Sequence, residues 1–199
     1  MKKVLLSLAA VFAFGLANAQ ETESNGFAKG DVFLSGTVGF SSETTGDAKI
    51  TGLNIAPSAG YFVSENIAIG LTLGYNSLKN EMPSNPVTSE SKYTSFGVGA
   101  FGRYYFTPAN SFSLFGQLGV GYENGKLEQN SNESKTDSFN IGVAPGINYF
   151  VSEHFALEAT FGILGYSTSK PDFDGADSTN SFDFGLNLDN INFGIVYKF

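Results

Sequence analysis

The chain has 199 residues and a formal net charge of −8, with 24 Gly, 20 Phe, 9 Tyr, no Trp and no Cys. The absence of Cys excludes disulfides and thiolate metal sites, and an acidic surface that repels phosphate backbones argues against nucleic acid as a partner. Frequent Gly and aromatic residues with few charges fit a protein made of closely approaching strands.

The first element in chain order is a processing signal. Lys2 and Lys3 precede an apolar run, Val4–Ala17, and the small residues Ala17, Asn18 and Ala19 follow it. This is the pattern of an export signal, and the run falls short of the roughly 20 residues that a membrane-spanning helix needs. The expected organisation is a signal peptide over 1–19 and a single domain over 20–199, with strands from about residue 30. Loss of Lys2 and Lys3 would take the charge from −8 to −10. No long apolar run comes after it, so no transmembrane helix is expected.

From Val32 onward the apolar residues recur with a period of two, which is the signature of strands. Val32, Leu34, Val38 and Phe40 share one face; so do Leu53, Ile55, Ala59 and Tyr61. Ile67, Ile69, Leu71, Leu73 and Tyr75 form the third set, with Ala68, Gly70, Thr72 and Gly74 opposite them. Phe96, Val98 and Ala100 come next, then Phe112, Leu114, Leu118, Val120 and Tyr122. Phe139, Ile141, Val143, Ile147 and Tyr149 precede Phe155, Leu157, Ala159, Phe161 and Ile163. The last set is Ile191, Phe193, Ile195, Tyr197 and Phe199, which makes eight strands. Pro57 and Pro145 fall inside predicted strands, where a residue without an amide hydrogen implies a bulge or broken pairing. The apolar phase also slips from even positions (Phe182, Phe184, Leu186, Leu188) to odd ones from Ile191, so a bulge is expected near Asp189 and Asn190.

Alternation alone fits two architectures. A soluble lipocalin-like barrel points its apolar face inward, and a membrane barrel points it toward lipid. The connections favour the second. Three related stretches, "YFVSENIAIG" from Tyr61, "YFTPANSFSL" from Tyr105 and "YFVSEHFALE" from Tyr149, recur every 44 residues. Each marks a short turn: Val63–Asn66, Thr107–Asn110 and Val151–His154. Between them lie long polar stretches over 77–91, 123–137 and 167–181, read as loops. Short turns on one side and long loops on the other are the asymmetry of an outer-membrane barrel. Tyr61, Tyr105 and Tyr149 are accordingly expected at the lipid–water boundary on the turn side.

The chain ends "IVYKF". Ile195, Tyr197 and Phe199 on one face resemble the C-terminal assembly signal of bacterial outer-membrane barrels. With the export signal, eight strands and turn asymmetry, the chain resembles the small OmpA/OmpX-type barrels, and more loosely the outer membrane protein beta-barrel domain or "porin family". The resemblance covers about 28–199, although such barrels often use Trp in their aromatic girdles and this chain has none. It implies an all-β, eight-stranded antiparallel up-and-down transmembrane barrel in the outer membrane of a diderm bacterium. Its short turns would be periplasmic and its long loops extracellular. The implied partners are outer-membrane lipid and lipopolysaccharide, with the barrel-assembly machinery and periplasmic chaperones during biogenesis. No cofactor is implied.

Eight strands enclose a lumen just wide enough to be filled by side chains, so no open aqueous pore is expected. Arg103 and Glu158 each lie about four residues from a turn and point inward, which would let them pair in the lumen. Arg103 could instead reach periplasmic water. Asp172, Asp174 and Asp177 gather carboxylates in one loop, a candidate for a hard cation, but Gly175 stands two places early for an EF-hand and no Glu closes the loop. The single His154 lies in a turn, where Asn66 and Asn110 hold the matching places, and nothing suggests an acid–base constellation at the outer rim. The function these observations imply is a non-enzymatic structural or surface-interaction barrel. The alternatives are a narrow channel or lateral path for a small apolar solute and, further off, a soluble ligand-binding barrel.

Overall fold

The structure is a computed structural model and describes residues 26–83, 89–129, 132–185 and 191–199. Ten strand segments run in chain order: β1 (Val32–Thr45), β2 (Ala48–Phe62), β3 (Ile67–Met82), β4 (Ser89–Tyr105), β5 (Phe112–Gln129), β6 (Asn132–Phe150), β7 (Phe155–Thr160), β8 (Leu164–Pro171), β9 (Thr179–Phe184) and β10 (Asn192–Lys198). Segments β7 and β8 both pair with β6, so they form one wall strand; β9 pairs with β8 and β10 with β7, so they form the last. Antiparallel pairing of β1 with β10 closes the ring into an eight-stranded barrel.

Closure follows from where the apolar face points. Phe40, Leu71, Leu118 and Ile195 are each more than half exposed, whereas Phe33, Phe62, Phe115 and Val196 on the alternate face are buried. A continuous apolar outer surface on a closed sheet is the inverse of a soluble barrel. In lipid it needs every ladder satisfied by a neighbouring strand.

Both prolines interrupt pairing on one side. The β2–β3 ladder is intact at Ile55↔Tyr75 and at Ser58↔Thr72 but lacks the pairs between, at Ala56 and Pro57. Next to Pro145, the β6 register moves by one residue between Gly146↔Thr160 and Val143↔Leu164, so Phe161–Ile163 carry one extra residue. That is a bulge. The outward face of the last strand is even at Phe182 and Phe184 and odd at Phe193 and Ile195. The bulge expected near Asp189 and Asn190 lies outside the described residues.

The polar stretches are not long loops. β3 continues to Met82 and β4 begins at Ser89; β5 continues to Gln129 and β6 begins at Asn132. At the first hairpin Thr45 pairs directly with Ala48, and Gly46 (φ 61°) supplies the left-handed conformation that a two-residue hairpin turn requires. Beyond the membrane both faces of a hairpin meet water, so a strand there needs no apolar alternation and reads as a loop.

Leu71, 62% exposed on the outer face, should tolerate no charge. Leu71→Arg is expected to lower stability in lipid vesicles by about 2–4 kcal/mol. Thr72→Arg, on the lumen side beside Ser58, should act through crowding instead. Urea titrations of the two variants compare them directly, and an unchanged midpoint for Leu71→Arg would mean that the faces are reversed.

Candidate functional site

The turn-side half of the lumen is filled with rings. Phe33, Phe101 and Phe115 lie directly across from Gly60, Gly70 and Gly146 on neighbouring strands. A Cβ on any of these glycines would collide with the facing ring. Each aromatic therefore lies flat over a bare patch of backbone, which lets a narrow cylinder accept large side chains.

Phe27 completes this layer. Its ring lies 4.7 Å from Phe62, 4.9 Å from Phe150, 5.2 Å from Tyr105 and 5.5 Å from Phe33 between centroids. The segment that carries it crosses the barrel floor. Phe27 N donates to Pro108 O at 2.7 Å in the β4–β5 turn, and Lys198 Nζ donates to Gly26 O at 2.7 Å. Gly30 (φ 96°) then turns the chain into β1. Asp31 accepts from Ala28 N at 2.8 Å. Burial pushes its carboxyl above the ordinary range, against the opposing pull of that amide and of Lys198. Sequence periodicity could not identify Phe27, because it precedes the first strand and belongs to no alternating set.

Above Phe27, Arg103 and Glu158 meet. Arg103 Nη1 donates to Glu158 Oε2 at 2.6 Å and Nη2 to Oε1 at 3.0 Å, a bidentate pair. Nε donates to Gln117 Oε1 at 2.7 Å, and Nη1 also reaches Tyr105 Oη at 3.3 Å. The Asn148 amide, oriented to suit its neighbours, donates to Glu158 Oε2 at 3.0 Å. The guanidinium carbon lies 4.4 Å from the Phe115 centroid and 4.9 Å from that of Phe101. Both charged side chains are over nine-tenths buried. Such a pair persists because every charged oxygen and most guanidinium hydrogens have partners.

The outer half of the lumen differs. Three glycine pairs face one another across strands: Gly74↔Gly97, Gly99↔Gly121 and Gly119↔Gly142. Among the described residues no ring covers them, and they surround a cavity of about 350 Å³ with Phe101 among its lining residues. Thr72, Gln117 and Asn140 add polar groups to the wall, and Glu123 is the one charged residue that lines it among the described residues. Tyr93 Oη donates to Glu123 Oε1 at 3.0 Å.

Tyr61 and Tyr149 lie on the outer face, about half exposed, but Tyr105 is fully buried in the lumen. This corrects the expectation that all three sit at the lipid boundary. The β4–β5 connection spans 106–111, two residues more than the connections at 63–66 and 151–154. The equal spacing of the letters therefore hides a change of face, and Tyr104 takes the outward position.

At the C-terminus, Phe199 N donates to Val32 O at 3.0 Å, and the Tyr197 and Phe199 rings pack edge to face at 4.9 Å. Ile195 points outward. His154 stacks on Tyr197 at 5.8 Å and its Nδ1 lies 2.9 Å from Lys198 O. It ties the last turn to the last strand. Asp172, Asp174 and Asp177 are exposed around a turn with Gly175 at φ 82°. Among the described residues no group of three or more His, Cys, Asp or Glu could hold a metal ion.

The outer membrane protein beta-barrel domain family matches residues 6–199. The chain belongs to that family. No curated protein sequence matches it. Among solved structures, OprG from Pseudomonas aeruginosa superposes with a TM-score of 0.57 at 16% identity, covering 89% of this chain and 99% of OprG. Neisserial surface protein A gives 0.50 at 16% identity, covering 86% of this chain and 100% of that protein. At such identities these likenesses speak for the fold alone. With the family membership they place the chain in a bacterial outer membrane as an outer-membrane barrel.

Glu158→Ala should lower stability by about 3–5 kcal/mol, because it leaves the Arg103 charge buried and uncompensated. The double variant Arg103→Met, Glu158→Leu should be markedly less destabilised than either single change. A double-mutant cycle by urea unfolding in vesicles measures this. Additive losses would mean that the two side chains act independently.

Proposed function

We propose that this outer-membrane barrel is a non-enzymatic structural or surface-interaction protein with no continuous aqueous pore. The observation that carries the reading is the floor. Phe27, its aromatic neighbours and the Arg103–Glu158 pair occupy the lumen on the turn side. A cylinder blocked at one end has its outer wall, its projecting hairpins and its open outer half left with which to act. The hairpins extend beyond the lipid as regular strands, and the stretches 41–49, 77–91, 123–137 and 167–181 hold eleven acidic residues against five lysines. Such a surface suits contact with anionic lipopolysaccharide through divalent cations.

Purified protein in planar bilayers is the test, and no steady, defined conductance is expected. An epitope inserted between Gly46 and Asp47 should be detected on intact cells, and one between Ser64 and Glu65 only after the outer membrane is broken. Steady openings would defeat the sealed-barrel reading, and reversed accessibility the sidedness.

A second reading, a lateral path for a small solute, has one observation in its favour. Among the described residues β1 pairs with β10 only over Phe33–Gly36, although β1 continues to Thr45. A wall that loses its ladder in lipid is weak there. Uptake of a small apolar solute into proteoliposomes that a Thr37→Cys, Gly194→Cys crosslink abolishes would favour this path; uptake indifferent to the crosslink would oppose it.

We also infer that Ile195, Tyr197 and Phe199 act as the assembly signal. Deleting Phe199 should reduce assembled barrel in outer-membrane fractions more than it reduces the stability of the barrels that fold. Deleting Asp174, in an exposed turn, should do neither. Wild-type levels without Phe199 would remove the signal role.

A further inference from the structure

We propose that the glycine-walled cavity in the outer half of the lumen is a binding site for a small organic ammonium solute. Such a site adds a ligand to the sealed-barrel reading and rests on it in one respect: a sealed floor makes the cavity a dead-end cup.

Glycine inside a strand is destabilising relative to alanine, because it loses more conformational freedom on folding. In the turn-side half that cost is offset because a phenylalanine ring covers each of Gly60, Gly70 and Gly146. Around the cavity the three glycine pairs have no such cover among the described residues. At Gly119 an added Cβ would meet nothing closer than Gln117 Nε2 at 3.8 Å and Ala100 O at 4.0 Å. Packing therefore does not demand glycine at 119, although it does at Gly99 and Gly121, where an added Cβ would stand 2.9 Å from Val120 O and from Asn140 Oδ1. The missing side chain at Gly119 keeps open a volume within the range of small-molecule sites.

Strand alternation also keeps the described lysines of the outer half off the lumen face, while its acidic residues fall on both faces. Lys49, Lys79, Lys92, Lys126, Lys135 and Lys170 all alternate to the outer face, as the registers fix. The ion pairs follow suit: Lys79 joins Glu81 and Glu90, and Lys126 joins Glu128 and Glu133, all on that face. Glu43, Glu123 and Asp183 alternate to the lumen. Below the cavity, Arg103 is neutralised by Glu158. The field inside the cup is thus negative and without a competing lysine among the described residues, which draws in cations and repels carboxylates.

Glu123 stands four residues along β5 from Gly119, the partner of Phe101, a distance of ~13 Å along the strand at the usual rise per residue. An ammonium head would pair with the Glu123 oxygen that Tyr93 leaves open. A short uncharged body would reach down past Asn140 and Gln117 toward the Phe101 ring. Backbone and amide groups offer hydrogen bonds on the way, so a purely apolar solute gains least.

The full chain, refolded in vesicles and labelled for amide resonances, is titrated with n-butylamine, butane-1,4-diamine, n-butanol and butyrate. Saturable shifts at Gly119, Gly121 and Gly142 are expected with both amines and not with the alcohol or the carboxylate. Glu123→Gln should weaken amine binding by roughly tenfold, the scale of one charge-assisted hydrogen bond. Gly119→Leu should abolish it by filling the cup, with folding verified by heat-modifiable gel mobility. Added salt should weaken amine binding to the unaltered protein, a test that needs no variant. Equal shifts from butanol or butyrate, salt-independent amine binding, or full affinity in Glu123→Gln would overturn the proposal. Steady conductance in the same preparation would overturn the sealed floor and leave the binding result standing.

Discussion

A polypeptide crossing hydrocarbon must hydrogen-bond every amide and carbonyl to itself. With strands, the only way to do so is to close the sheet. Here closure is made by a short ladder, Phe33–Gly36 against Ile195–Lys198, and the rest of the molecule is governed by its circumference. Eight strands leave a lumen a few side chains across. Outward positions become the lipid-facing surface, and inward positions must share that narrow space.

The chain divides that space into two halves with one residue type. Glycine appears on the inner face throughout. Where a phenylalanine lies opposite, as at Gly60, Gly70 and Gly146, glycine makes room for a ring and the lumen becomes solid. Where another glycine lies opposite, as at Gly74 and Gly97, the lumen stays open. The boundary between the halves is Phe101 stacked on the guanidinium of Arg103. The ion pair thus belongs to the solid half, and its neighbours Gln117, Tyr105 and Asn148 supply the hydrogen bonds that burial takes from water.

Most of the wall was legible in the sequence because lipid on one side enforces alternation. The same rule placed Arg103 and Glu158 on the inner face, and their distances to the turns set them at similar heights; the missing amide hydrogens of Pro57 and Pro145 marked breaks in pairing. Alternation failed where the enforcing condition lapses. Above the membrane both faces are wet, so the hairpin strands of β3–β4 and β5–β6 carry no apolar alternation there and cannot be told from loops by sequence. Tyr105 faces the lumen although it shares the letters "YF" with Tyr61 and Tyr149, because its turn is two residues longer than theirs and a shift of strand end changes the face. Phe27 carried no periodic signal at all. Its role emerges only when β1, β2, β4 and β6 are brought around it.

Arg103 lies on β4 and Glu158 on β7, strands that are not neighbours in the ring. Their bond is therefore a spoke rather than a rung. Ladders between adjacent strands fix the perimeter of a cylinder but leave its cross-section free to flatten into an ellipse at constant circumference. A two-pronged tie across the interior, clamped between rings of fixed thickness, removes that freedom near one rim. That chord and the rings packed around it hold the turn-side section round, while the glycine-walled part, which has no comparable tie among the described residues, is left the more compliant section under lateral pressure from the bilayer.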